Sequence, residues 1–267
     1  MNKTIVDGLD FEVSEGIGTL TLSRPDRLNS LTFEMYRALV NFFADVQHDD
    51  DVKVLIVTGT GRGFCSGGDV HDIIGKLVSY GPKDMLGFAR MTGDVIRNMR
   101  RLKKPIVAAI NGTAAGAGAV IALASDIRIG SDQSKIAFLF SKVGLTGADM
   151  GAAYLLPRVI GMGRASELLF LGDSVPAAKA NEIGLFNDVV PHDELMTKAR
   201  EVAGRLAAGP TFSHGITKDL INNGMSMDLD SALDAEARAQ TICMLADDFK
   251  EFHASFVDKR KPEFKGS

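Results

Sequence analysis

Cysteine is scarce in this chain: two in 267 residues, Cys65 and Cys243, far apart in sequence. That excludes a disulfide-stapled fold. With no signal peptide evident, reduced thiols and a cytoplasmic protein are expected. Histidine is also sparse, and its five copies show no metal-type spacing, so no metal site is expected. No apolar run is long and charge-free enough to span a bilayer. Neither charge sign dominates: 30 basic against 34 acidic side chains leave a net −4. The one basic cluster, Arg97–Lys104, reads as a solvated helix end. Neither a nucleic acid nor a membrane is expected as a partner. Low-complexity linkers and repeats at fixed spacing are missing too. What remains, 45% hydrophobic and 24% charged residues, is the composition of a globular protein with a large core.

The chain is organised around Asn111–Asp126 (NGTAAGAGAVIALASD). This segment follows the apolar run Pro105–Ile110 and reads as strand, small-residue turn, buried helix. Such a turn presents bare backbone N–H groups at a helix N-terminus, and small side chains let a ligand approach them. A dinucleotide fingerprint is disfavoured because its third glycine position is Ile121, and a phosphate loop lacks its Gly-Lys-Ser/Thr ending. An oxyanion site and tight helix–strand packing remain as readings. A second glycine loop, Gly59–Asp69 (GTGRGFCSGGD), follows the buried strand Val52–Thr58 and favours the oxyanion reading. Asp69 suits an N-cap there. Cys65 has no evident histidine to activate it and reads as a small core residue.

Elsewhere, Phe11–Ser23 alternates as a β-hairpin. Thr32 caps a helix with an apolar face of Met35, Leu39, Phe42, Phe43 and Val46. Met85–Leu102 reads as a helix, and 126–130 and 135–140 as strands. Loop and helix follow over 143–158, helices over 161–171 and 174–183, and a strand over 187–190. Beyond Pro191 only helical periodicity is seen, over 195–206, 211–222 and 229–256. The change predicts an α/β core over residues 1–190 and a helical region over 191–267.

Six segments in order resemble the enoyl-CoA hydratase/isomerase (crotonase) superfamily. They are SRPDRLNSL at 23–31, GFCSGGDV at 63–70, KPIVAAINGTAAGAG at 104–118, SDIRIGSDQSKIAF at 125–138, GADMGAAYLLPRVIG at 147–161 and ASFVDKRKPEF at 254–264. The resemblance implies a crotonase-like spiral of ββα units with a C-terminal helical trimerisation region. It implies homotrimers, often paired as hexamers, that bind acyl-CoA thioesters and need no cofactor beyond the coenzyme A of the substrate. By motif position, the two peptide N–H groups of the family's oxyanion hole fall on Gly68 and Ala117, within Ser66-Gly67-Gly68-Asp69 and Gly116-Ala117-Gly118. Ala117 is a departure, since glycine is common there. Arg27, Leu28 and Ser66–Gly68 match the region that cradles the CoA adenine. Phe256 and Lys259 match tail residues that reach toward CoA, with a solvated face as the alternative for Lys259. Val70 and His71 follow the first loop, where they could reach the acyl pocket; a helix-surface histidine is the other reading.

The two catalytic glutamates of a typical hydratase fall here on Val120 and Phe140, neither of which can move a proton. The resemblance therefore points to a third family position, Asp149, as acid/base, although a helix N-cap is an alternative role. In an apolar pocket with Val120, Phe140 and Met150, its carboxyl should have a raised pKa. The expected activity is double-bond isomerisation or hydration of an enoyl-CoA. The alternatives are C–C hydrolysis or decarboxylation of a cyclic or branched acyl-CoA, or non-catalytic acyl-CoA binding.

Overall fold

Alternating and continuous apolar runs build the sheets first. In the computed structural model, which describes residues 3–267, β1 (Lys3–Val6), β2 (Leu9–Ser14) and β3 (Ile17–Leu22) form an antiparallel meander. The expected hairpin is β2–β3, turned at Glu15 and Gly16 with φ of 53° and 77°, as a two-residue hairpin turn requires. Helix α1 (Phe33–Asp45) follows, with Thr32 Oγ1 accepting from Met35 N at 3.2 Å as its cap.

The chain then winds through three turns on one plan. β4 (Val54–Gly59) and β5 (Gly63–Cys65) lead through a π-helical turn at Val70–Ile74 and one α turn, α2 (Gly75–Leu77), into α3 (Pro82–Arg101). β6 (Ile106–Ile110), β7 (Thr113–Ala115) and α4 (Ala117–Ala124) make the second turn. β8 (Ile127–Ser131), β9 (Lys135–Ala137), a 3-10 turn at Leu139–Val143 and α5 (Ala152–Ile160) make the third. Beyond them come α6 (Met162–Leu171), β10 (Val175–Pro176), α7 (Ala177–Glu182) and β11 (Asp188–Val190). The first strand of each turn joins a seven-stranded sheet, β1-β2-β3-β4-β6-β8-β11, and the second joins a four-stranded one, β10-β9-β7-β5. This is the ββα spiral that the resemblance implied.

The C-terminal region is helical as expected: α8 (Leu195–Ala207), α9 (Thr211–Gly224), α10 (Leu229–Leu245) and α11 (Asp247–Val257). The element type changes near residue 191, but α8 still packs within the core. Its Leu195, Ala199, Ala203 and Ala207 cover Val54, Ile56, Val107 and Ala109 on one face of the large sheet. The opposite face, with Leu55, Val57 and Ala108, packs against α1, α3 and α4. Burial on both faces explains why β4 reads as an unbroken apolar run.

Several sequence expectations change. β5 and β7 lie inside segments read as loops, because three residues carry no periodicity. The strand expected over 135–140 stops at Ala137, and Phe140 sits in the 3-10 turn. The helix expected over 229–256 breaks at the extended residue Ala246. The spiral is itself a repeat, but its turns begin unevenly, at Val54, Ile106 and Ile127, so no fixed spacing betrays it. The basic cluster is not simply solvated. Arg100 donates to Asp126 at 2.9 Å and to the Ala124 carbonyl at 3.0 Å, and Lys104 Nζ donates to the Val46 carbonyl at 2.8 Å.

Candidate active site

The spiral brings the two glycine loops together. β5 and β7 are parallel neighbours, so the segments leaving their C-terminal ends emerge side by side. Gly118, in the first turn of α4, packs on the first loop: a Cβ there would stand 2.2 Å from the Cys65 carbonyl oxygen. We expect Gly118→Ala to cost about 3 kcal/mol of stability, measurable as a fall in the urea unfolding midpoint.

Gly67 faces the second loop, and a Cβ on it would lie 3.1 Å from the Ala115 carbonyl oxygen and 3.5 Å from the Ala117 nitrogen. Gly116 takes φ 53° and ψ −122°, a backbone region that glycine alone adopts readily. Its own N–H donates to the Ala137 carbonyl at 3.0 Å. The next N–H, on Ala117, opens α4 and has no acceptor among the described residues. The N–H of Gly68 has none either. Gly68 forms a parallel bridge with Leu31, in which Leu31 N donates to the Gly67 carbonyl and Asp69 N to the Leu31 carbonyl. That pairing turns the N–H of Gly68 to the other side. Two touching loops therefore each offer an unused amide, at Gly68 and at Ala117.

The first loop is held from outside. Asn29 Nδ2 donates to the carbonyls of Thr60 at 2.9 Å and Gly63 at 2.7 Å. Asn111 Nδ2 donates to those of Gly61 at 2.9 Å and Gly63 at 3.0 Å. Ser66 N donates to the Leu28 carbonyl at 3.0 Å and Ser66 Oγ to the Arg27 carbonyl at 3.3 Å. Arg27, Leu28 and Ser66 are thus assembled at one rim, with the Arg27 side chain exposed.

Asp69 is buried and saturated. It accepts from His71 N and Asp72 N on one oxygen, and from Ser30 Oγ and Arg24 on the other. Burial pushes its pKa up, but these donors outweigh it and hold the carboxyl at about 2. It caps the π-helical turn and shapes the loop, its side-chain lone pairs filled from within the protein. Val70, 67% exposed, and His71 lie on the outer side of that turn. Burial pushes the Cys65 thiol up to about 12, so it is a protonated core group and no nucleophile. Phe256, 74% exposed, lies in the last turn of α11 and Lys259 just beyond its end; α11 packs mainly on α10 rather than on the glycine loops.

Val120, Phe140 and Met150 are all buried, and Phe140 comes within 3.9 Å of where a Gly116 Cβ would stand. Asp149, next to Met150, is half-buried. Its Oδ1 accepts from Met150 N at 2.8 Å, and burial raises its pKa despite that bond. The helix that follows starts at Gly151, with no side chain capping it. The N-cap reading of Asp149 therefore falls away: its main-chain carbonyl, not its carboxylate, accepts from Ala152 N.

Three polar residues of this neighbourhood stood outside the sequence reading. Asn29 and Asn111 are the loop staples, and the only signal was an asparagine directly after a strand or a tight turn. Tyr36, on the buried face of α1, brings its hydroxyl within 3.7 Å of the Gly68 Cβ position. Its place in an apolar stripe disguised it as core.

The family model described as enoyl-CoA hydratase/isomerase matches residues 12–267. The chain is 40% identical over 256 residues to the 1,2-epoxyphenylacetyl-CoA isomerase of Escherichia coli K12, covering 95% of this chain and 97% of that one. It is 33% identical to the short-chain-enoyl-CoA hydratase of Clostridium acetobutylicum, covering 92% and 93% of the two chains. Among solved structures, the enoyl-CoA hydratase of Bacillus anthracis superposes with a TM-score of 0.91 at 29% identity, over 97% of this chain and all of that one (100%).

Proposed function

The chain belongs to the enoyl-CoA hydratase/isomerase family of enzymes, and from that premise we propose that it shifts a double bond within an acyl-CoA thioester. In this reading the amides of Gly68 and Ala117 receive the thioester oxygen as it gains charge, and Asp149 moves the proton. The observation that carries it is Asp149: a desolvated carboxylate with a single amide partner and no capping duty.

One carboxylate is enough for isomerisation. Asp149 takes a proton from one carbon of the acyl chain, the charge moves onto the thioester oxygen, and Asp149 returns the proton to another carbon. Hydration asks for more, since water must be both held and activated. The positions where a hydratase resembling this chain carries glutamates are Val120 and Phe140, apolar and buried here.

The CoA moiety would lie along Arg27, Leu28 and Ser66–Gly68, and no other cofactor is needed. We also propose that the C-terminal helices mediate self-association, bringing Phe256 and Lys259 to the CoA of the same or a neighbouring subunit. Helix α10 has no buried residue, and Leu229, Leu233, Ile242 and Leu245 on it are exposed, which is the kind of surface a second copy would cover. Among the described residues no helix is long and apolar enough to cross a membrane.

Incubation with a panel of enoyl- and dienoyl-CoA esters, followed by chromatography and mass spectrometry, tests the reaction. We expect a product of new retention time and unchanged mass. Gain of one water across the panel, with no isomer formed, would overturn the assignment.

A further inference from the structure

We propose, resting on the acyl-pocket reading above, that Tyr36 is a specificity-determining residue. Its phenol donates a hydrogen bond to an oxygen carried by the acyl group itself, so the preferred substrates are oxygen-bearing acyl-CoA esters rather than plain hydrocarbon ones.

Tyr36 is 2% exposed, and its ring is fixed edge-on to Phe88 at 5.6 Å between centroids. Phe33 packs on Phe88 at 5.2 Å and on Tyr80 at 6.1 Å, so the phenol stands beside an aromatic cluster. The tip of the side chain is another matter. Its oxygen approaches the Gly68 Cβ position to 3.7 Å and makes no hydrogen bond among the described residues. The enclosed polar atoms without a partner are Thr19 Oγ1, Ser141 Oγ and His214 Nδ1. Tyr36 Oη is not one of them, so it keeps a small opening. A buried hydroxyl without a partner is costly unless something arrives to accept from it.

The position says what that something is. The phenol feels burial first and also the charge of Asp149, both of which raise its pKa; it is therefore a neutral O–H and a donor. Asp149 acts on the phenol through its charge, and no hydrogen bond joins the two side chains among the described residues; in the proposed pose the acyl chain fills the gap between them. The thioester oxygen has two lone pairs, and the amides of Gly68 and Ala117 fill both in the proposed pose. Tyr36 comes at Gly68 from the α-carbon side rather than along its N–H. It therefore serves a different acceptor, further along the acyl chain toward Asp149. A pure hydrocarbon chain in the gap would strand the O–H, and a site built to meet an oxygen discriminates against its absence.

The test uses three unreactive probes: phenylacetyl-CoA and its 2-hydroxy and 3-hydroxy derivatives. Each is titrated calorimetrically into the wild-type protein and into Tyr36→Phe, which keeps the ring and removes only Oη. We expect the wild type to bind at least one hydroxylated ester about tenfold more tightly than phenylacetyl-CoA. Tyr36→Phe should bind phenylacetyl-CoA as well as the wild type does and show no preference. A variant that weakens all three esters equally, or keeps the preference, would overturn the assignment and leave Tyr36 a packing residue. Equal wild-type affinity for all three also overturns it, whether or not the variant folds. If no ester binds the wild type at all, the acyl-CoA reading itself fails and takes this proposal with it.

Discussion

Asp149→Asn is expected to lower kcat about a thousandfold while acyl-CoA esters still bind within a few-fold of the wild type. The amide has the shape of the carboxyl and keeps an oxygen for Met150 N, but it cannot carry a proton between carbons. The same substitution should raise the melting temperature at neutral pH. Burial raises the Asp149 pKa above its unfolded value, so the folded state favours the protonated carboxyl. That contribution is fully present below the unfolded pKa and is lost as pH rises through the folded one. The substituted amide never ionises, so the gap in melting temperature between variant and wild type should open between acid and neutral pH. Activity runs the other way. The proposed base must be ionised, so wild-type kcat/KM should fall on acidification with a midpoint raised above the ordinary aspartate value. Full activity in Asp149→Asn would remove the carboxylate from the mechanism.

In the proposed reading Asp149 costs stability and supplies chemistry, and its position bears on what could be read from sequence. The long elements were legible because their periodicity reports burial. α1 shows its apolar stripe, and β4 and β6 read as continuous runs because both faces are covered. The position of Asp149 was legible from the resemblance, but its freedom from capping was not. That depends on the chain entering α5 through Gly151 with φ 91°, a turn no composition rule foretells. The short strands β5 and β7 were invisible, although they set the glycine loops side by side. Their stability comes from pairing across distant parts of the chain rather than from local preference. Asn29 and Asn111 were missed for the same reason: each holds backbone carbonyls more than 30 residues away. Tyr36 shows the limit most clearly. Its ring obeys the apolar pattern of α1, and only the position of its oxygen beside Gly68 separates it from an ordinary core tyrosine.

The proposed oxyanion site depends on main-chain groups, which most substitutions leave in place. Ala117→Pro is the exception, and we expect it to lower kcat/KM between a hundredfold and a thousandfold with little change in melting temperature. Ala117 is the first residue of α4, the helical position where proline is best tolerated. Its N–H has no acceptor among the described residues, so deleting it breaks no internal bond. The preceding residue is Gly116, whose lack of a Cβ eases the crowding that proline imposes on its neighbour. Ala117→Gly is the control. It keeps the N–H and removes only the methyl, and should stay within a few-fold of the wild type. Loss of activity in both variants would mean that the shape of the loop matters rather than the amide. Wild-type kinetics in Ala117→Pro would mean that no thioester oxygen rests on this N–H, and the catalytic argument built on the paired loops would fail.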